Sequence, residues 1–222
     1  MKIYDKIIQG TDEWKELRHG KIGSSIAKEI MSKYEKPITE CAAFYTLLSE
    51  QMEDFDPFTN EFTSFSMQRG NELEPEARSE YERITGIEMA QFGWIEIDSF
   101  VGISPDGWNI ELKKAIEIKC PAANTYAKYL LNFDEFLSDY VWQLVHYFVV
   151  LGIDSVDCVA YRPENKFQPI IIKTIKRDTI IQVSAKVSKP ISELAEMLKF
   201  RLTTTKCAID REMARIISTN NF

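Results

Sequence analysis

The order of elements in this 222-residue sequence predicts an α/β fold: a mixed central sheet flanked by helices, with a helical N-terminal part. Three observations carry that reading. Helix signals fill residues 11–86, and strand-like runs crowd residues 87–119. Two further apolar runs, "SVDCVAYRP" and "QPIIIKTIK", follow a pair of helical segments lying between 122 and 151. With 45% apolar residues the chain can bury a full core, and residues 1–222 read as a single domain.

Taken in order, "TDEWKELRHG" is a short helix with Thr11 as its cap, acids in its first turn and Gly20 as its stop. A second helix begins in "GSSIAKEIMSK", and residues 38–53 form a third. "FDPFTNEFTSFS" is a Phe-rich loop, followed by a helix through "MQRGNELEPEARSEYERITG" that ends at Gly86. After the strands of 87–119 come helices over 122–132 and 134–151, the two later strands, and a helix that starts after Asp178 and bends at Pro190.

The net charge of −7 and pI near 5.1 argue against a broadly basic nucleic-acid surface. They leave room for a local basic lining, which "WKELRHGK" and "ELKKAIEIK" can supply. The most apolar stretch, "VWQLVHYFVVLGI", is interrupted by Gln143 and His146, so no membrane association is expected. The N-terminus lacks a secretory apolar region. Cysteines 41, 120, 158 and 207 show no metal-ligand spacing, which points to a reducing cytoplasm and no iron–sulfur cluster.

The chemistry concentrates in "VGISPDGWNIELKKAIEIKCP". Strand alternation in "AIEIK" sends Ile116 and Ile118 to the core face and Ala115, Glu117 and Lys119 to the other. The Glu117 and Lys119 side chains then stand about 7 Å apart along the strand. Turn chemistry at Pro105, Asp106 and Gly107 predicts a hairpin whose first strand is "FVGIS", bringing Asp106 beside Glu117. An E-x-K pair alone is an ordinary exposed strand edge with an ion pair. Together, the pieces match the D-(x)n-(D/E)-x-K signature of metal-dependent nucleases. Asp106 and Glu117 suit a hard cation such as Mg2+ at about 2.0–2.1 Å, with the Ile118 carbonyl as a further oxygen, and Lys119 suits the charge building on phosphorus.

Other candidates carry two readings each. Gln143 and Tyr147, four apart, share a helix face away from Val141, Leu144, Val145, Phe148 and Val149, and such a pair is commonly ordinary helix surface. Glu72, Glu74 and Glu76 read as a solvated acidic face. His146 reads as a packed or surface residue rather than a metal ligand. The helix start at "GSS" offers amides, a positive dipole end and the hydroxyls of Ser24 and Ser25, while Arg18 can grip a phosphate bidentately. Plain capping by serine is the alternative.

Five ordered motifs, "WKELRHGKIGSS", "GNELEPEAR", "GISPDG", "AIEIKCP" and "QLVHY", resemble the lambda-exonuclease-like alkaline exonucleases of bacteriophage, a viral recombinase type within the PD-(D/E)xK nucleases. The resemblance runs from about Gly10 to Lys176. It implies a restriction-endonuclease-like core and a Mg2+-dependent exonuclease that degrades the 5′ strand of linear duplex DNA to mononucleotides. The 3′ strand is left for recombination by strand annealing. It further implies two Mg2+ ions, with Mn2+ as a substitute, held by Asp106, Glu117, Glu74 and the Ile118 carbonyl. Lys119 is the implied catalytic lysine, Gln143 and Tyr147 the Q-x-x-x-Y pair, and Arg18 and Ser25 the 5′-phosphate pocket. A homotrimeric ring, a single-strand annealing partner and a cytoplasmic phage or prophage setting also follow from it. Pro75, directly after Glu74, departs from the pattern and predicts a bend. The rival readings are an endonuclease on the same core and an inactive module that binds DNA ends.

Overall fold

Four strands make the central sheet, and their positions follow from where the chain can alternate without interruption. The computed structural model describes residues 1–58, 65–184 and 186–219. A first strand, β1 (Lys2–Tyr4), leads into α1 (Asp12–Arg18), where the Thr11 hydroxyl accepts the Trp14 N–H as the sequence predicts. Helix α2 (Ser24–Met31) follows. The expected third helix is shorter and two-part, a 3-10 turn at Ile38–Glu40 and then α3 (Ala42–Glu50). The Phe-rich segment falls partly outside the described residues, and α4 (Phe65–Thr85) takes over at Phe65. Pro75 lies inside α4 without ending it.

Short strands come next: β2 (Trp94–Glu96), β3 (Gly102–Ile103), β4 (Gly107–Asn109) and β5 (Lys114–Lys119). Helices α5 (Ala123–Leu131) and α6 (Asp134–Val150) match the predicted spans to within a residue. Strands β6 (Ser155–Tyr161) and β7 (Ile170–Lys176) complete a sheet of order β4-β5-β6-β7. It is mixed: β5 and β6 are parallel across the α5–α6 crossover, and the other pairs are antiparallel. Separately, β1-β2-β3 form a three-stranded antiparallel sheet.

Three expectations are corrected. The hairpin partner of β5 is β4, which lies after Asp106; the "FVGIS" run enters β3 and pairs with β2 instead. The turn therefore falls at residues 110–113, where Lys113 adopts φ 47°, and Asp106 sits at the strand crossover rather than in the hairpin turn. The helix expected after Asp178 is instead a hairpin, β8 (Ile180–Ser184) with β9 (Val187–Pro190), before α7 (Ile191–Thr219) begins. Pro190 ends a strand, where a missing N–H costs little, rather than kinking a helix.

The third correction concerns the sheet's faces. Ala115 belongs to the larger core, with Val156, Cys158, Ala160, Leu144 and Tyr147, so the Glu117 face is covered by α6 rather than open. Ile116, Ile118, Val159 and Tyr161 pack into a smaller core with Ala77 and Tyr81 of α4. Both faces of β5 are thus buried, as parallel pairing under helices requires. Arg201 of α7, itself buried, donates to the carbonyls of Ile30 (3.0 Å), Lys33 (3.1 Å) and Lys36 (2.9 Å). It takes up carbonyls at the end of α2 and beyond, and so fixes that helix against the rest.

Candidate active site

Asp106 is placed by three contacts from three elements. The antiparallel register sets Gly107 opposite Ile116, which brings Asp106 to the level of Glu117. Its Oδ2 accepts the Ile118 N–H at 2.7 Å, its own N–H donates to the Tyr147 hydroxyl at 3.2 Å, and its carbonyl accepts Arg78 Nε at 2.8 Å. The following residue must be glycine. A Cβ at Gly107 would lie 2.8 Å from the Met89 Cβ and 2.9 Å from Ile116 Cγ1, too close for either to tolerate. "SPDG" is thus a packing solution as much as a turn.

Around Asp106 negative charge exceeds positive. Glu117 is buried and ion-paired to Lys119. Tyr147 Oη, fully packed on α6, accepts the Asp106 N–H, and burial, with the charges of Glu117 and Asp106 adding to it, holds that phenol well above its ordinary range. Glu74, half-buried on α4, pairs with Arg78 one turn on at 2.6 Å. Burial, followed by the charges of Glu117 and Glu74, holds the Asp106 carboxyl well above the usual carboxylate range. Burial, with the charge of Glu117 adding to it, raises Glu74 as well, Arg78 and Lys119 opposing them. For Lys119 burial pulls the pKa down, but Glu117 and Asp106 outweigh it, so the ammonium is held above its ordinary value and stays charged.

A cavity of about 500 Å³ opens here, lined by Glu74, Asp106, Ile118, Lys119 and Gln143, with Lys28 and Tyr140 on its wall. The Gln143 Oε1 is buried there without a hydrogen-bond partner. Among the described residues, no three His, Cys, Asp or Glu side chains are gathered as a metal-holding cluster. Glu74 is turned to Arg78 and Glu117 to Lys119, and Glu117 does not line the cavity. The donor chemistry fits a hard divalent cation nonetheless: oxygen ligands, excess negative charge and an orphaned amide oxygen.

A second cavity, about 810 Å³, shares Met67, Asn71 and Glu74 with the first and is lined by Arg18, Ser25, Lys15 and Trp14. The Arg18 guanidinium lies 3.9 Å from the Trp14 ring centroid and 5.6 Å from that of Trp94. Gly23 gives it room, since a Cβ there would stand 3.2 Å from Arg18 Nη2. Gly23 is the cap residue of α2 and no side chain caps that helix, which sets aside the serine-capping alternative. Ser25 is exposed toward the cavity, whereas Ser24 is not part of it: its Oγ is 3.1 Å from His146 Nδ1. His146 is fully buried, and burial pushes it down to about 3.

The fold therefore lines one cleft with Asp106, Lys119, Glu74, Gln143 and Ile118, buries Glu117 and Tyr147 behind them, and places Arg18 and Ser25 in an adjoining cleft. Sequence reasoning passed over Lys28, Tyr140, Asn71 and Arg78. Lys28 left a sequence trace, being one helical turn beyond the "SS" pair, and so did Arg78, one turn beyond Glu74.

The fold is shared with solved structures. An alkaline exonuclease, LHK-Exo, from Laribacter hongkongensis superposes at TM-score 0.74 with 22% identity, covering 94% of this chain and 97% of that one. The same enzyme in complex with dAMP gives 0.73 and 23% over the same shares. A phage-related exonuclease from Haemophilus somnus 129PT gives 0.63 and 17%, covering 88% and 96%. No curated protein matches the sequence. Residues 13–154, more than half the chain, match the YqaJ-like viral recombinase domain, and the chain belongs to that family.

Proposed function

We propose that the chain is a single nuclease domain, a Mg2+-dependent exonuclease that degrades the 5′ strand of linear duplex DNA, 5′ to 3′, to mononucleotides. The observation that carries this reading is the pair of adjoining cavities, one holding Asp106, Glu74 and Lys119 and the other Arg18 and Ser25, joined through Glu74 and Asn71. The structural neighbours, an alkaline and a phage-related exonuclease, and membership of the viral recombinase family support it. The exposed 3′ strand then serves recombination through a single-strand annealing partner, in a phage or prophage setting within a bacterial cytoplasm. A homotrimeric ring around DNA belongs to the same proposal.

Each residue has a task its surroundings suit. Arg18 and Ser25 take the terminal 5′ phosphate, the guanidinium resting against the Trp14 ring. Lys119, kept charged by Glu117 and Asp106, stabilises negative charge developing at the scissile phosphate. Tyr147 and Arg78 fix Asp106, and the Gln143 oxygen waits for a donor from the reacting groups. Divalent cations held by Asp106, Glu117, Glu74 and the Ile118 carbonyl would supply Lewis-acid chemistry at both the attacking and leaving oxygens.

The test is digestion of 5′-phosphorylated linear duplex, 5′-hydroxyl linear duplex and a covalently closed circle, with Mg2+, Mn2+ or chelator. Mononucleotides from linear duplex, faster from phosphorylated ends, with the circle intact and chelator inhibiting, are expected. A nicked or cut circle makes the protein an endonuclease on this core. Binding of ends without cleavage makes it an inactive end-binding module, and equal rates on phosphate and hydroxyl ends remove the role of Arg18.

A further inference from the structure

Lys28 stands on the wall of the catalytic cavity with no task in the scheme above. It projects from α2, one turn beyond Ser25, into the cavity that also holds Lys119. Its Nζ donates to the backbone carbonyl of Asp139 at 2.9 Å and lies 5.6 Å from the centroid of the Tyr140 ring. The Lys119 ammonium is 5.0 Å from that same centroid, so two cations flank one aromatic ring. They differ in what neutralises them. Lys119 is bound to Glu117, whereas Lys28 has a carbonyl and a ring face but no carboxylate within ion-pair distance among the described residues. In a chain of net charge −7 an accessible lysine without a carboxylate partner, facing a nuclease cleft, is a local electrostatic asset.

The two cavities adjoin, and the cations are divided between them. Arg18 and Ser25 line one, Lys119 and Lys28 the other, and Met67, Asn71 and Glu74 line both. A strand entering with its 5′ phosphate at Arg18 passes the shared wall and reaches Asp106 and Lys119. With the 5′ phosphate held at Arg18 and Ser25 and the scissile phosphate at Lys119, the backbone phosphate left for Lys28, on the same cavity wall, is the next one in the 3′ direction. We propose that Lys28 is a positioning residue that grips the phosphate immediately 3′ of the scissile one, holding the strand in register for each cut. The inference rests on the exonuclease reading and adds to it a third phosphate contact. The ammonium is a compact point charge with rotatable donors, suited to a phosphate that moves by one nucleotide per turnover.

The test uses single-turnover release of the 5′-terminal nucleotide from two duplexes, one all-phosphate and one with an uncharged methylphosphonate at the second internucleotide linkage. With wild type, the methylphosphonate raises the enzyme concentration for half-maximal rate by about fivefold, the scale of one exposed charge pair. Lys28→Ala shows that same rise on the all-phosphate duplex, no further rise on the modified one, and an unchanged rate at saturation. Lys28→Arg keeps the wild-type value, and the salt slope of Lys28→Ala is lower by about 0.9. A purely structural lysine, holding α2 to Asp139, would give equal methylphosphonate penalties in wild type and Lys28→Ala, and that result overturns the proposal. So does an unchanged half-maximal concentration in Lys28→Ala. Wild type that degrades neither duplex removes the exonuclease reading itself and this proposal with it.

Discussion

Strand β5 carries a lysine and meets a buried carboxylate at each of its ends, and the two ends differ in how their polar groups are satisfied. At the start, Lys114 donates to Asp157 Oδ2 at 2.9 Å, Tyr81 Oη donates to the same oxygen at 2.6 Å, and Thr174 Oγ1 donates to Oδ1 at 2.6 Å. One carboxylate thus receives three donors, and nothing there awaits a ligand. At the other end Lys119 faces Glu117 with Asp106 and Glu74 close by, three carboxylates against Lys119 and Arg78, with the Gln143 oxygen left without a donor. Buried ionic groups hold a fold together when every lone pair is answered. Where acceptors outnumber donors around a cavity, the missing partner comes from outside the chain. The difference lies in the balance rather than in residue type, for both ends show a lysine beside an acid.

The comparison breaks most sharply at Lys119. We predict that Lys119→Ala lowers the cleavage rate by about 10²–10³-fold while the protein stays folded and still binds DNA ends, because the lysine answers charge that develops in the transition state. Glu117→Ala should lose metal affinity as well as cleavage. Single-turnover rates with binding measured in parallel decide it, and near-normal cleavage by Lys119→Ala would mean that this end of β5 is structural too.

The opposite outcome belongs to Asp157. Replacing it by Ala leaves the Tyr81 hydroxyl buried without an acceptor and Lys114 without its partner. A broken buried pair costs about 3–5 kcal/mol, and because Lys114 can turn partly toward water the lower figure is expected. Urea unfolding should show that loss, with cleavage per folded molecule unchanged. Wild-type stability in Asp157→Ala, accompanied by lost cleavage, would reverse the assignment of the two ends.

How much of this was legible follows the length of each signal. "SPDG" and "EIK" pointed to Asp106, Glu117 and Lys119 because glycine, strand alternation and acid spacing act locally. The hairpin partner was misassigned because β3 and β4 are only two and three residues long, too short for alternation to register, and because β1 pairs β2 across some ninety residues. Between 180 and 190 the apolar residues Ile180, Ile181, Val183 and Val187 fit a helix stripe as well as a strand, and only cross-strand pairing decides. Glu72, Glu74 and Glu76 look alike in sequence. Tertiary structure separates them: Gln68 donates to Glu72, Tyr161 to Glu76, and Glu74 alone of the three lines the cleft. Ser24 and Ser25 were likewise equal until α6 placed His146 beside the first of them.

His146 is the intermediate case, a buried polar group answered on one side only, by Ser24 at Nδ1, with Nε2 lacking a partner among the described residues. Burial holds its folded pKa at about 3, against about 6.5 in an unfolded chain. The unfolded state therefore binds the extra proton first as pH falls. The contribution of neutral His146 to stability is complete above about pH 6.5 and declines from there toward pH 3. Between pH 7 and pH 5 the loss is about 2 kcal/mol from this residue. His146→Gln, which cannot titrate, should be less stable than wild type at pH 7 but should lack that part of the pH slope, while the carboxylates common to both proteins contribute equally. Unfolding free energies at pH 7, 6 and 5 for the two proteins provide the test. Parallel pH profiles would show that His146 charges freely in the fold, and the α2–α6 contact would then be as fully answered as the one at Asp157.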